Sequence, residues 1–79
     1  MSSANLNIRR VVELALLTSA SAVVLAHNHP SGVALPSEED QIATQQVREA
    51  LATIGVVMVD HIIVADNDFV SMADSGLLG

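Results

Sequence analysis

The sequence predicts an α/β domain in which helices pack on a sheet, and three observations carry that expectation. A short, continuous apolar run, Ala22 to Ala26, has the character of a core strand. A second run, Val56 to Val64, is rich in β-branched residues and makes a second core strand. Between them lies a well-signalled helix, and the strand, helix, strand order from Ala22 to Val64 is long enough for a right-handed parallel crossover.

Taken in order, Asn7 can cap a helix running from about Ile8 to Thr18, with Arg9 and Glu13 on a narrow polar stripe and Val11, Val12, Leu14 and Ala15 elsewhere. A helix so apolar is expected to be mostly buried. Ala22 to Ala26 then forms a strand expected to be covered on both faces, as in parallel sheets, and it ends at His27. Asn28 to Pro36 holds two prolines and Gly32 and is a loop. Ser37 opens a second helix that closes near Ile54, with Gly55 as its stop. Asp66, Asn67 and Asp68 turn the chain into a short strand around Phe69 to Ser71, which must pair antiparallel with its predecessor. The tail from Ala73 to Leu78 is expected to form one helical turn. No repeat, linker or low-complexity segment interrupts this order, so residues 1–79 read as a single unit.

Composition limits what such a unit can be. With 79 residues it is one domain at most, and chains this short bury only about 60% of their unfolded surface, so stability is marginal. Hydrophobic residues make up 51% of the chain, yet Phe69 is the lone aromatic, so the core must be aliphatic. The absence of cysteine excludes disulfides and cysteine-ligated zinc and fits a reducing, cytoplasmic setting. Arg9, Arg10 and Arg48 are the only strong cations against nine acids, for a net charge of −6. Binding to a phosphate backbone needs several cations on one face, so direct nucleic-acid binding is not expected. Arg9-Arg10 and the apolar stretch after them imitate a secretory leader, but Glu13 interrupts the stretch, and cleavage after Ala20 or Ala22 would remove part of the domain. The run from Val11 to Ala26 is too short and too broken to span a bilayer, which needs ~20 apolar residues. No membrane association is expected.

Chemistry concentrates at the end of the first strand. Alternate side chains of an extended segment point the same way, so His27 and His29 can present two imidazoles to one point about 2 Å from each ring nitrogen. Asp40, Thr44, Val47 and Leu51 follow i, i+4, i+7, i+11 spacing, which places Asp40 on the inward stripe of the second helix beside the strand end. An inward carboxylate there supplies a third metal ligand. Ser37-x-x-Asp40 also has the pattern of a capping box, worth ~1 kcal/mol, and Asp40 cannot fully serve as both cap and ligand. A capping hydroxyl at Ser37 can still donate its proton to a developing oxyanion. Glu38 and Glu39 are read as charges matched to the helix dipole, and His61 as a structural hydrogen-bonder.

His27-Asn28-His29-Pro30-Ser31-Gly32, followed by Pro36-Ser37 and Asp40, resembles the JAMM motif, His-x-His-x7-Ser-x-x-Asp, and its inner wording resembles that of the RadC family. The resemblance runs from about Ile8 to Leu78 and takes in Asp60-His61-Ile62-Ile63. It implies a cytidine-deaminase-like (JAB/MPN) α/β fold, a mixed sheet with flanking helices, and a zinc ion held by His27, His29, Asp40 and a water. The deaminases themselves are excluded, since their zinc signature needs cysteines.

The same resemblance implies a metallopeptidase in which zinc activates water for attack on a peptide or isopeptide carbonyl, with the serine matching Ser37 steadying the oxyanion. The family's general base is a glutamate on an upstream strand. The chain departs from the pattern there, so it is expected to be a partial MPN domain without its first strands, weak or inactive in hydrolysis, with an unpaired sheet edge open to homo-oligomer formation. The expected partner is a peptide or protein substrate. Two alternatives stand beside this reading: a noncatalytic interaction module, and a DNA-repair factor, as the RadC name suggests, that does not contact DNA directly.

Overall fold

A computed structural model describes residues 7–29 and 32–78. Its elements are α1 (Ile8–Leu17), β1 (Ala22–Asn28), α2 (Glu38–Thr53), β2 (Val57–Ala65) and β3 (Asp68–Ser71). The strands form one mixed sheet in the order β1-β2-β3, with β1 parallel and β3 antiparallel to β2, and α1 and α2 pack on each other and on the sheet. This is the expected α/β architecture, a small sheet with flanking helices of the JAB/MPN type. Within the expected loop and motif, Pro30 and Ser31 lie outside the described residues.

The local reasons are those expected from the residue types. The Asn7 side chain accepts the Arg10 N–H at 3.0 Å, and the Thr18 hydroxyl caps the other end of α1 by donating to the Leu14 carbonyl at 2.7 Å. Helix α2 starts at a complete capping box on Ser37 and stops before Gly55, whose φ of +75° reverses the chain. The tail forms a single helical turn, as expected, with the Ser75 N–H on the Ser71 carbonyl at 3.1 Å and the Leu77 N–H closing it on the Met72 carbonyl at 2.9 Å. It seats Leu78 in the core, where the Arg48 guanidinium donates to the Leu78 carbonyl.

Two burial expectations fail for one reason. Helix α1 buries only Ala15 fully; Ile8, Val11 and Val12 lean on the core while Leu14, Leu16 and Leu17 are exposed. Strand β1 is covered on one face, because Val23, Leu25 and His27 are partly buried whereas Ala22, Val24, Ala26 and Asn28 face outward. Apolar content says that a segment can be buried, but the number of packing layers decides whether it is. Both helices contribute to a single core of Ala15, Val47, Leu51, Val56, Met58, Ile63, Met72 and Leu78. The outer sheet face, with Val24 58% and Phe69 65% exposed, has no layer over it among the described residues.

One irregularity matters for the site. Between Val23 and Val24 the partner on β2 jumps from Met58 to Asp60, so Val59 is an extra residue in the ladder. With a strict period of two, inward Met58 would be followed by inward Asp60. After the bulge the buried positions are instead His61, Ile63 and Ala65.

Candidate metal centre

The inner face of β1 ends in the two histidines. His27 pairs with Ile63 in the ladder, and the backbone N–H of His29 reaches the Val64 carbonyl at 2.8 Å, so the extended alternation persists one residue beyond the strand. Both imidazoles therefore point to the same side, with ring centroids 5.1 Å apart and planes 87° to each other. The loop then bends back at Gly32, whose φ is +80° and whose Cα lies so close to the β2–β3 turn that a Cβ there would fall 2.8 Å from Asp66 Oδ2. That turn of chain delivers the start of α2 beside the strand end.

Asp40 occupies the third position of α2 and faces both rings. One donor atom from each of His27, His29 and Asp40 falls within 4.8 Å of the others, with His29 Nε2 2.7 Å from Asp40 Oδ2 and His27 Nδ1 3.6 Å from Asp40 Oδ1. The structure brings the three expected ligands together and buries Asp40 and His29. It also gives the two oxygens of Asp40 different surroundings. Oδ2 accepts the Ser37 N–H at 2.8 Å and completes the cap, while Oδ1 accepts no hydrogen bond and is turned toward His27. Burial, the largest influence on this carboxyl, pushes its pKa up. The hydrogen bonds from Ser37 and the contact and charge of His29 outweigh it, and the net value lies below 3.8. The group is therefore an anion at neutral pH.

Neighbouring oxygens orient the His29 ring. His29 Nδ1 lies 2.9 Å from the Val33 carbonyl, which can only accept, so Nδ1–H donates there, and Nε2, which donates to Asp40 Oδ2 at 2.7 Å, is the nitrogen a metal ion would take in place of that proton. His27 Nδ1 is buried with no hydrogen-bond partner among the described residues, opposite the similarly bare Asp40 Oδ1. A buried polar atom left unpaired costs about 1–3 kcal/mol, and here two lie 3.6 Å apart, too far for a mutual hydrogen bond. A cation between them satisfies both. Two imidazoles and one carboxylate, held on a strand end and a helix start, are the donor set of an open-coordination zinc site, and the residues fit such an ion.

Around this centre, Ser37 is half-buried and its hydroxyl oxygen accepts the Asp40 N–H at 3.0 Å. Glu38 and Glu39 are exposed in the first turn of α2. His61 lies fully buried under the site, with its ring stacked on His27 at 5.9 Å, and outside the group of three donors. Burial lowers its pKa from 6.5, as does the His27 charge, against opposing pulls from Asp40 and Asp60. It is a buried hydrogen-bonder, to Thr44. Asp60 holds the end of the sheet: its carboxylate accepts the His61 and Ala73 N–H groups and the Ser71 hydroxyl. Sequence reasoning missed the parts played by the Val33 carbonyl and the Thr44 hydroxyl. Thr44 alone left a signal, as a polar residue on the apolar stripe.

Comparison with known proteins places this geometry in a family. A family model described as RadC-like JAB domain matches residues 1–77. The chain is 51% identical over 75 residues to a UPF0758 protein of Nitrosococcus oceani, covering 95% of this chain and 34% of that protein. It is 49% identical over 74 residues to one of Ectopseudomonas mendocina, covering 94% of this chain and 33% of that protein. It is 45% identical over 78 residues to one of Coxiella burnetii, covering 99% and 35%. The chain thus spans about a third of the length of the curated relatives it matches. With its strand-end histidines, its capping aspartate and a match over nearly its whole length, the chain belongs to the RadC-like JAB domain family.

Proposed function

We propose that this domain is a zinc-dependent hydrolase centre of the JAMM type, acting on peptide or isopeptide bonds in a protein substrate. The observation that carries the reading is the convergence of His27, His29 and Asp40, with two buried donor atoms facing each other unpaired. A bound zinc ion supplies Lewis acidity and lowers the pKa of a coordinated water toward ~7. The chain's own residues do the rest. The Val33 carbonyl holds His29 in the tautomer that offers Nε2, and the Ser37 N–H holds the Asp40 carboxylate in place. The Ser37 hydroxyl, whose oxygen is engaged by the Asp40 N–H, donates its proton to the oxygen of the carbonyl under attack. The low pKa of Asp40 keeps it an anion and therefore a ligand rather than the base.

The base is a separate matter. Among the described residues no second carboxylate joins the three donors, and a positioned general base typically adds ~10² to 10⁴ in rate. Hydrolysis by the 79-residue chain is accordingly slow. A cytoplasmic location accords with the absence of cysteine and with the absence, among the described residues, of any helix long and apolar enough to cross a membrane. The test is release of a fluorophore from peptide and isopeptide substrates in long incubations with zinc or with chelator. Slow release that chelator and Asp40→Asn both abolish supports the reading. Release indifferent to both, or none above the chelated control from the zinc-loaded chain, counts against it.

A further inference from the structure

Thr44 and His61 are both fully buried beneath the metal centre, and together they tie its three supporting elements to one another. Thr44 Oγ1 lies 2.6 Å from the Asp40 carbonyl and 2.6 Å from His61 Nδ1. A hydroxyl has one proton, and a carbonyl can only accept. The Thr44 proton therefore goes to the Asp40 carbonyl, and His61 Nδ1–H donates to Thr44 Oγ1. From there the His61 ring stacks on His27, with centroids 5.9 Å apart and planes within 18°. A continuous path of contacts thus runs from Asp40 on α2 through Thr44 to His61 on β2 and on to His27 on β1.

That path exists because of the bulge. Only the extra residue at Val59 turns His61 inward, and the Asp60 carboxylate, which accepts the His61 N–H at 2.7 Å, holds the backbone there. A bulge that re-aims one side chain toward a site is expected where that side chain is needed. Were the pair merely filling the core, an apolar couple of the same shape would serve as well or better. It would also remove the unpaired, buried His61 Nε2.

We propose that Thr44 and His61 are a positioning pair that sets the metal affinity of the His27, His29 and Asp40 site, an inference that rests on reading that site as a zinc centre. The pair fixes the depth at which α2 presents Asp40 and the plane in which β1 presents His27. Neither residue is a ligand. The outer layers of metal sites typically govern about 10- to 100-fold in affinity, and that is the loss expected here.

The experiment is zinc affinity by competition with a chromophoric chelator, with the visible spectrum of the cobalt-substituted chain and the thermal stability of the metal-free chain recorded for each variant. The variants are Thr44→Val with His61→Phe, Thr44→Val alone, Thr44→Ser, and Val47→Ala as a destabilised control on the same buried stripe. The double variant is expected to bind zinc about 10- to 100-fold more weakly with a shifted cobalt spectrum, Thr44→Ser to bind like wild type, and Val47→Ala to lose stability without losing affinity in its folded state. Should the double variant fail to fold, the contrast between Thr44→Val and Thr44→Ser decides in the same way. Wild-type chain that binds zinc, with a double variant or Thr44→Val within about 3-fold of it, overturns the positioning role alone, since that is well inside the expected loss. Wild-type chain that binds no zinc overturns the metal site and this inference with it.

Discussion

Replacing Asp40 with asparagine separates its two jobs. In the metal-free chain the amide oxygen of the Asp40→Asn variant can keep the Ser37 N–H bond now made at 2.8 Å, and its amide nitrogen falls where Oδ1 stands unpaired opposite His27 Nδ1. What is lost is the extra strength of hydrogen bonds to a charged acceptor, so the cost is about 1 kcal/mol. For a domain of this size that lowers the melting temperature by about 4–8 °C. With zinc the consequence is larger. At a free concentration about 100 times Kd, zinc stabilises wild type by ~2.7 kcal/mol, which is roughly 10–20 °C. A neutral amide is not among the usual zinc donors, so that shift should collapse toward zero in Asp40→Asn. Scanning fluorimetry in chelator and then in zinc measures both numbers on one sample. Equal zinc-induced shifts in the two proteins refute Asp40 as a ligand. A metal-free variant that no longer unfolds cooperatively refutes the division of work between its oxygens.

Two further outcomes follow from neighbouring residues. Ser37→Ala removes the acceptor for the Asp40 N–H and should cost about 1 kcal/mol of stability while leaving zinc stoichiometry unchanged, checked by denaturant unfolding beside elemental analysis. The pKa of Asp60 is also lowered from 3.8: burial pushes it up, but the hydrogen bonds from Ser71, Ala73 and His61 and the charge of His61 outweigh that. Its stabilising contribution is fully present above 3.8 and is lost as pH falls through the lower folded value, so urea unfolding below pH 3.8 should weaken less steeply in Asp60→Asn than in wild type.

The cluster of His27, His29 and Asp40 was legible because strand period and helix phase are read directly from residue spacing. His27 and His29 lie two apart at a strand end, and Asp40 heads the stripe Thr44, Val47, Leu51, which the fold buries as a unit. The capping box on Ser37 was legible for the same local reason. What could not be read depends on packing between distant segments. That Asp40 caps α2 through Oδ2 and still turns an unpaired Oδ1 toward His27 is seen only in the folded chain. The bulge at Val59 falls within an unbroken run of β-branched residues, where periodicity gives no phase, so the inward turn of His61 was invisible. The exposed faces of α1 and β1 were missed because apolar composition cannot count the layers that cover it.

The most direct measurement of the central claim is the zinc content of the purified chain by elemental analysis, after saturation with zinc and removal of excess. One zinc per wild-type chain, and none in the variant carrying both His27→Ala and His29→Ala, is the predicted result. Equal zinc in the two proteins would contradict the site.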